Sequence, residues 1–337
     1  MVLVLKNEQK ENLLPMAEEV QAIEEAFREL GAGKAMIAPR ARLRTPWKEE
    51  GGQYYFNNIM GLVPGMKSMA LRIDSSFSKE VQVAGAKRRV YPGDYIGLVL
   101  LFDMDTCEIL AMMDDHYIST MRVGATSAVA SKYLAREDAK VMALLGSGEQ
   151  AKTQVTAHLA VRPLTKIKVY SPTIEHRTDF ARKMSHQLGR EVSTAAEPQE
   201  AVDGADMLIA ATNSNKPVIN GSWLTPGMHV TSIANGDKTR TRQEIDEETL
   251  RRADPIFVTS KETVCVNESD VFRAVRDQII SWERVHEISS LLLGETPGRT
   301  DERQITLFKL QGTGIMDVAI GLRAYERIKG GNLALRL

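Results

Sequence analysis

A glycine-rich segment near the middle of the chain has the residue spacing that binds a dinucleotide. It reads Gly146-Ser147-Gly148-Glu149-Gln150-Ala151 and directly follows the apolar run 141–145. In such a loop the first glycine permits a tight turn, the second lets the backbone approach a pyrophosphate, and the small third residue keeps the helix close to the strand. The N-terminus of that helix offers unpaired N–H groups to phosphate. The segment therefore predicts a nicotinamide dinucleotide site, in preference to a purely structural turn.

The residues after the next predicted strand indicate which dinucleotide is bound. Enzymes that use NAD tend to carry an acidic residue at the end of that strand, where it bonds the ribose hydroxyls. Here the strand ends at Ser171, and Thr173 and Arg177 follow it. These side chains can contact a 2′-phosphate, so the sequence favours NADP(H) and leaves NAD(H) possible. The alternative is that Arg177 is a solvated helix residue and Ser171 only begins a turn.

The hydrophobic pattern around the glycine loop alternates between short apolar runs and helical stretches. This alternation is typical of an α/β fold with a Rossmann-type, doubly wound parallel sheet. Apolar strands are predicted at 97–102, 141–145, 167–170, 206–211 and 230–233, with a further strand around Val192. Helices are predicted at 16–30, 117–135, 150–161, 174–188 and 315–328, with another around Glu200.

Composition excludes several classes of protein. Lys plus Arg total 43 and Asp plus Glu 44, so no global field attracts nucleic acid or an anionic membrane. The two cysteines, Cys107 and Cys265, lie far apart, which makes a disulfide framework or a cysteine zinc site improbable. The sequence shows neither a secretory signal nor an apolar run long enough to span a bilayer. We therefore expect a cytoplasmic protein that binds neither nucleic acid nor membrane.

A block just before the glycine loop carries a family resemblance. Residues 121–130 read MRVGATSAVA, and the chain then runs through Lys132-Tyr133-Leu134-Ala135 to the GSGEQA loop. Further matches in the same order are Pro39-Arg40, the GAD at 204–206 and the QITLFK at 304–309. On these motifs the chain resembles the ornithine cyclodeaminase/mu-crystallin family. The similarity runs through most of the chain, and its central block is specific.

The resemblance implies a two-domain homodimer. Residues 1–119 plus 313–337 would form an α+β substrate-binding and dimerisation domain, and residues 120–312 the Rossmann dinucleotide-binding domain. Family members include ornithine and lysine cyclodeaminases, alanine dehydrogenases and reductases of ketimines and other imino acids. Their shared chemistry is hydride exchange between a nicotinamide and the α-carbon of an amino or imino acid.

The resemblance also implies three arginines as ligands of a substrate carboxylate. Arg40 and Arg122 match family arginines, and a guanidinium offers a bidentate fork to a planar carboxylate. Arg72 stands where the family has an active-site lysine. Because arginine stays protonated, Arg72 can bind a carboxylate or polarise a carbonyl but cannot serve as a general base.

Two further site residues follow from the resemblance. Asp237 lies in the segment that supplies the family's general acid/base, and an aspartate shielded from water can deliver a proton to an imine. The spacing around it differs from the family pattern by about two residues. Gly312 matches a glycine on the nicotinamide side of the family's site. The run Asp114-Asp115-His116 has no metal-ligand spacing, so no metal is expected.

Three functions stay open on the sequence. The leading one is an NAD(P)H-dependent reductase or dehydrogenase of a small imino or amino acid, with Asp237 and Arg72 as the candidate catalytic residues. The second is ornithine or lysine cyclodeamination with recycled NAD, which the arginine at position 72 disfavours. The third is a non-catalytic, crystallin-like protein that binds NADP.

Overall fold

The computed structural model describes residues 2–9, 13–47, 52–83, 86–90, 96–236, 242–330 and 335–336 of the 337-residue chain. The strands are β1 (Leu3–Leu5), β2 (Met36–Pro46), β3 (Gly52–Val63), β4 (Ser68–Val83), β5 (Ala86–Val90), β6 (Ile96–Asp103), β7 (Ile109–Asp114), β8 (Val141–Leu145), β9 (Lys166–Tyr170), β10 (Val192–Thr194), β11 (Met207–Ala210), β12 (His229–Ser232), β13 (Ile256–Val258), β14 (Val285–Glu287), β15 (Thr306–Lys309) and β16 (Leu335–Arg336). The helices are α1 (Met16–Gly31), α2 (Asp115–Leu134), α3 (Glu149–Val161), α4 (Ile174–Leu188), α5 (Pro198–Val202), α6 (Glu247–Arg252), α7 (Lys261–Val266), α8 (Asp270–Arg276), α9 (Ile288–Leu293) and α10 (Gly314–Ile328).

The chain divides into two compact units. The first comprises Met1–Pro15, Ala32–Ser119 and Thr313–Leu337, and the second comprises Met16–Gly31 and Thr120–Gly312. Helix α1 therefore belongs to the second unit, whereas the sequence placed it with residues 1–119. The reason is its apolar face: Val20, Ile23 and Phe27 are buried, and the helix packs against α3 and α9 of the second unit.

The second unit is built on an eight-stranded sheet in which every strand pair is parallel. Its strand order is β10-β9-β8-β11-β12-β15-β13-β14. Strands β8 and β11 are buried along nearly their whole length, which accounts for their continuous apolar sequences. The chain leaves β8 for β9 on one side and later returns to β11 on the other, so the order reverses at β8. Ligands of such sheets bind at the carboxyl ends of the strands beside this reversal.

The first unit is an antiparallel sheet covered on one face by a helix. Its strand order is β16-β1-β7-β6-β4-β3-β2, with β5 paired to β4, and only β1 and β7 run parallel. Helix α10 packs on the face that carries Val99, Leu101 and Met113. The fold class predicted from the sequence, a Rossmann-type sheet with a second α+β unit, is thus confirmed.

No helix in the described part of the chain combines the length and apolar composition that crossing a bilayer requires.

Two buried histidines connect the elements that frame the glycine loop. Ser131 Oγ on α2 lies 2.9 Å from His158 Nε2 on α3 and 3.0 Å from His229 Nε2 on β12. His158 Nδ1 lies 2.7 Å from the carbonyl oxygen of Gln154, and His229 Nδ1 lies 2.9 Å from Thr306 Oγ1. Burial lowers the pKa of His158 to about 4 and lowers that of His229 well below its usual range. Both imidazoles are therefore neutral in the folded protein at neutral pH.

This burial makes the stability of the protein dependent on pH. Because each folded-state pKa lies below the ordinary value of 6.5, the unfolded chain binds more protons as the pH falls. The contribution of the pair is complete above about pH 6.5 and is lost towards about pH 4. We expect the free energy of unfolding to fall in this window by up to about 1.4 kcal/mol per pH unit for each histidine.

Denaturant unfolding between pH 4 and 7 measures this slope. In His158→Gln the slope should be shallower by about the contribution of one histidine. In the control His176→Gln, which changes an exposed histidine on α4, the slope should match that of the wild type. An unchanged slope in His158→Gln would contradict the assignment.

Candidate functional site

The glycine loop joins β8 to α3 at the carboxyl edge of the parallel sheet. Gly146 has φ +119°, and a Cβ atom built there would lie 2.2 Å from the carbonyl oxygen of Ala211, so only glycine fits. A Cβ atom at Gly148 would meet nothing within 4 Å, and Gly148 caps α3 without a side-chain hydrogen bond. Ala151 is fully buried under the first turn of α3. The loop thus presents an open cradle and an uncapped helix N-terminus, which suits a pyrophosphate.

The residues after β9 lie beside this loop. Ser147 Oγ donates to Ser171 Oγ at 2.9 Å, which ties the glycine loop to the end of β9. Arg177 Nη1 donates to the carbonyl oxygen of Ser171 at 2.8 Å, and its guanidinium stacks 5.4 Å from the centre of the Tyr170 ring. Thr173 is exposed at the N-cap of α4. Ser171 is thus tied to the glycine loop through Ser147, and Arg177 is tied to Ser171.

A buried carboxylate holds the loops that leave β11 and β12. Glu244 is fully buried, and its Oε1 accepts hydrogen bonds from the backbone N and Oγ1 of Thr212 at 2.6 and 2.9 Å. Its Oε2 accepts from Ser232 Oγ, Ile233 N and Ala234 N at 2.8 to 2.9 Å. Five donors on one carboxylate satisfy its lone pairs and compensate its desolvation.

A buried lysine approaches the same loop from β15. Lys309 is fully buried, and its Nζ lies 2.8 Å from Ser232 Oγ, 2.6 Å from the carbonyl oxygen of Ala234 and 3.1 Å from Asp270 Oδ2. Nζ donates hydrogen bonds to Ser232 Oγ and to the carbonyl oxygen of Ala234, and the carboxylate of Asp270 is its ion-pair partner. The peptide groups of Ala234 are consequently held on both sides, with the N–H on Glu244 and the carbonyl on Lys309. This cluster fixes the chain just past the carboxyl end of β12.

The sequence did not identify this cluster as functional. Lys309 stands out in the sequence only as part of the QITLFK motif at 304–309, and no local pattern singles out Glu244. A lysine at the end of an apolar strand is the available signal, because such a residue is buried only with partners. Asp237 lies outside the described residues. Gly312 is half-buried in the segment between β15 and α10.

In the first unit, Arg72 forms a buried ion pair. Arg72 Nε donates to Asp115 Oδ2 at 2.5 Å, and both residues are buried. The carboxylate of Asp115 occupies the space above Gly97, where a Cβ atom would lie 2.1 Å from Oδ1. Arg72, Asp115 and Gly97 are therefore packed against one another, and the carboxylate of Asp115 fixes the guanidinium of Arg72. The sequence had weighed Asp115 only as a metal ligand.

Other polar residues lie on the same face of the antiparallel sheet. Asn57 Nδ2 donates to Asp74 Oδ1 at 2.5 Å, and Asp74 Oδ2 lies 3.9 Å from Arg72 Nη2. Arg40 lies on β2 at the point where the pairing register with β3 shifts, between Ala38 and Ala41. Across the described residues, no three His, Cys, Asp or Glu side chains converge as metal ligands do.

Arg122 lies in the part of α2 that belongs to the second unit and is 3% exposed. Its helix packs closely on α3, because a Cβ atom at Gly124 would lie 2.7 Å from the carbonyl oxygen of Thr153. Arg122 is buried in this helix, and the small residues that follow it permit the close approach to α3.

Comparison with known proteins places these features in a family. The model of the ornithine cyclodeaminase/mu-crystallin family matches residues 2–332. A Delta(1)-pyrroline-2-carboxylate reductase of Bacillus cereus is 30% identical over 328 residues, which are 97% of this chain and 96% of that protein.

Solved structures give the same result for the fold. The Thermococcus litoralis Delta(1)-pyrroline-2-carboxylate reductase, in complex with NADH and L-proline, matches with a TM-score of 0.88 and 30% identity, and both chains are fully covered. An archaeal alanine dehydrogenase dimer with bound NAD matches with a TM-score of 0.85 and 28% identity over 100% of this chain and 98% of that one.

The ion pair between Arg72 and Asp115 gives a stability prediction. Asp115→Ala breaks this buried ion pair and should lower the free energy of unfolding by about 3 kcal/mol. The control is Asp105→Ala, because Asp105 pairs with Lys67 at 2.7 Å but is largely exposed. That variant should lie within about 0.5 kcal/mol of the wild type. Equal effects in urea unfolding would show that the buried pair has no special role.

Proposed function

The chain belongs to the ornithine cyclodeaminase/mu-crystallin family, and we propose that it is an NAD(P)(H)-dependent oxidoreductase that exchanges a hydride with the α-carbon of a small imino or amino acid. The observation that carries the proposal is the open cradle at Gly148 before the uncapped N-terminus of α3. It occurs in a chain that matches reductases and dehydrogenases along its whole length.

The cofactor's role is to supply or accept the hydride at its nicotinamide ring. The residues proposed to hold the pyrophosphate are those of the glycine loop, Gly146 to Ala151, because their backbone N–H groups and open surface suit two phosphates. Ser171, Thr173 and Arg177 are proposed for the adenosine ribose, and Gly312 for the nicotinamide side. This assignment follows the division of a doubly wound sheet into two mononucleotide-binding halves.

Arg40, Arg72 and Arg122 are proposed to bind the substrate carboxylate. Asp115 fixes the guanidinium of Arg72 through Nε, and a fixed guanidinium binds a planar carboxylate with less loss of side-chain entropy than a mobile one. An arginine stays charged during turnover, so Arg72 orients and polarises the substrate but does not exchange its proton. This supports reduction of a C=N bond over cyclodeamination.

Asp237 remains our proposal for the proton donor and acceptor. The loop that leads to it begins at Ala234, whose N–H and carbonyl are held by Glu244 and Lys309. A general acid works only at a fixed distance from the atom that it protonates, and a rigid loop base provides this.

An absorbance assay tests the function. The protein is mixed with NADH or NADPH and either Delta(1)-pyrroline-2-carboxylate or a 2-oxo acid with ammonia or methylamine, and oxidation is followed at the nicotinamide band. We expect oxidation with at least one imine, and the reverse reaction with the matching amino acid. Ammonia release from ornithine with only catalytic NAD would instead identify a cyclodeaminase. Tight dinucleotide binding without either reaction would identify a binding protein.

We propose NADP(H) as the preferred cofactor, because Arg177 supplies a cation and no carboxylate ends β9. Arg177→Ala should raise KM for NADPH roughly tenfold, because one charge-assisted hydrogen bond to the 2′-phosphate is lost. It should change KM for NADH little, because NADH lacks that phosphate. Arg182→Ala, an exposed arginine on the same helix, is the matched control. Equal changes in KM for both cofactors would contradict a 2′-phosphate contact.

A homodimer is proposed from the face of the antiparallel sheet opposite α10, on which the described apolar side chains are partly or largely exposed. Side chains alternate between the two faces of a strand, and many of those that point away from α10 are apolar. These apolar side chains are Leu43, Phe56, Met60, Leu62, Met69, Leu71, Ile73, Leu98, Leu100 and Met112. An apolar face of this extent is typical of a protein interface. A second copy of the chain is the proposed partner, and the alanine dehydrogenase of similar fold is a dimer.

A charge in the middle of this face tests the dimer. Leu100→Glu should convert the dimer to a monomer, because it places an unpaired carboxylate in an apolar interface. Light scattering after size-exclusion chromatography gives the mass. The control Ile174→Glu changes a side chain of the second unit that is 61% exposed and should leave the mass unchanged. The dimer interface lies elsewhere if Leu100→Glu keeps the mass of the wild type.

A further inference from the structure

Asn235 stands three residues beyond β12 with its side chain fixed by two hydrogen bonds. Nδ2 donates to the carbonyl oxygen of Ile233 at 3.0 Å and to that of Leu310 at 2.8 Å. These bonds use both hydrogens of the amide group and determine which end of the amide is nitrogen. The oxygen Oδ1 is therefore available only as an acceptor.

This oxygen is buried, and no residue in the described parts of the chain donates to it. A buried acceptor without a donor is unfavourable, because it has lost its hydration and gained no hydrogen bond in exchange. An unpartnered buried atom of this kind calls for an explanation. One explanation is that a bound ligand supplies the missing donor. The chain has little freedom to move Oδ1 towards another donor, because Glu244 and Lys309 hold the peptide groups of the preceding residue, Ala234.

The position of Asn235 indicates which half of a dinucleotide its side chain would contact. The residue lies past the carboxyl end of β12, and its amide reaches the chain just after β15. In the strand order, β12 and β15 lie on the opposite side of β8 from β9, whose end carries Ser171. In a doubly wound sheet the adenosine half of a dinucleotide lies at the β9 side, and the nicotinamide half at the other.

We infer that Asn235 Oδ1 accepts a hydrogen bond from the carboxamide NH2 of the nicotinamide. The carboxamide is the only amide donor in that half of the dinucleotide, and Asn235 Oδ1 can act only as an acceptor. The bond holds the ring in one of its two rotational positions about the glycosidic bond, and so selects the face that exchanges the hydride. The inference rests on the proposed dinucleotide-dependent function.

The test compares two cofactors that differ in this one donor. In 3-acetylpyridine adenine dinucleotide a methyl group replaces the NH2 of the carboxamide, so the analogue cannot donate. Calorimetric titration of the intact protein measures Kd for NAD+ and for the analogue, or for the 2′-phosphorylated pair if that form is preferred. The wild type should bind the natural cofactor roughly 5- to 10-fold more tightly, and Asn235→Ala should bind both alike.

The comparison separates a specific contact from a general disturbance. If Asn235→Ala weakens the binding of both cofactors equally, or of neither, the inference is wrong. Equal weakening is the result expected if Asn235 instead contacts the ribose. Asn220→Ala, an exposed asparagine of the same unit, should keep the discrimination of the wild type. If the wild type binds no dinucleotide, the proposed function itself fails, and this outcome is distinct from the loss of discrimination.

Discussion

The peptide groups of Ala234 are held between two buried charges, and the carboxyl edge of the parallel sheet depends on this arrangement. Glu244 binds the N–H side and Lys309 the carbonyl side, while Asp270 and Ser232 complete the coordination of the ammonium. Each charge would be costly to bury alone. Five hydrogen-bond donors replace water around Glu244, and two acceptors and the carboxylate of Asp270 replace it around Lys309. The loops after β11 and β12 consequently share one rigid support. A site that must place a hydride acceptor within a fraction of an ångström requires such support.

The first unit uses the same principle in a smaller form. Arg72 and Asp115 form a buried ion pair, and the missing side chain at Gly97 leaves space for the carboxylate. The second unit adds the neutral pair His158 and His229, which join α2, α3 and β12 through Ser131. Charged and polar groups thus fix the elements around the candidate site, while apolar residues on both faces of the parallel sheet supply the bulk of the core.

Much of this fold was predictable because its strongest signals are local. Strand β8 and helix α4 begin and end at the residues that apolar periodicity predicted, and the glycine loop followed from its spacing. Strands β13 to β15 were not predicted, because the helices between them, α7, α8 and α9, have only six or seven residues each, and helical periodicity needs longer runs to show the alternation. The placement of α1 could not be predicted either, since an amphipathic pattern shows which face is buried but not against which partner.

The candidate site divides in the same way. Residue spacing predicted the glycine loop, and the family resemblance implied the three arginines. The partners of those residues were not identifiable: Asp115 is 43 positions from Arg72, and Asp270 is 39 positions from Lys309. Such pairs depend on the tertiary fold, and no local pattern encodes them. Arg72 was recognised as a departure from the family lysine, but its carboxylate partner became visible only in three dimensions.

The packing at Gly97 constrains how this site can change during evolution. A lysine at position 72 would leave the buried Asp115 with a differently shaped partner, and a larger residue at position 97 would collide with its carboxylate. Neither change is neutral while Asp115 remains. The three positions therefore form an epistatic group, in which the order of substitutions matters and the carboxylate has to be lost before glycine 97 can be replaced.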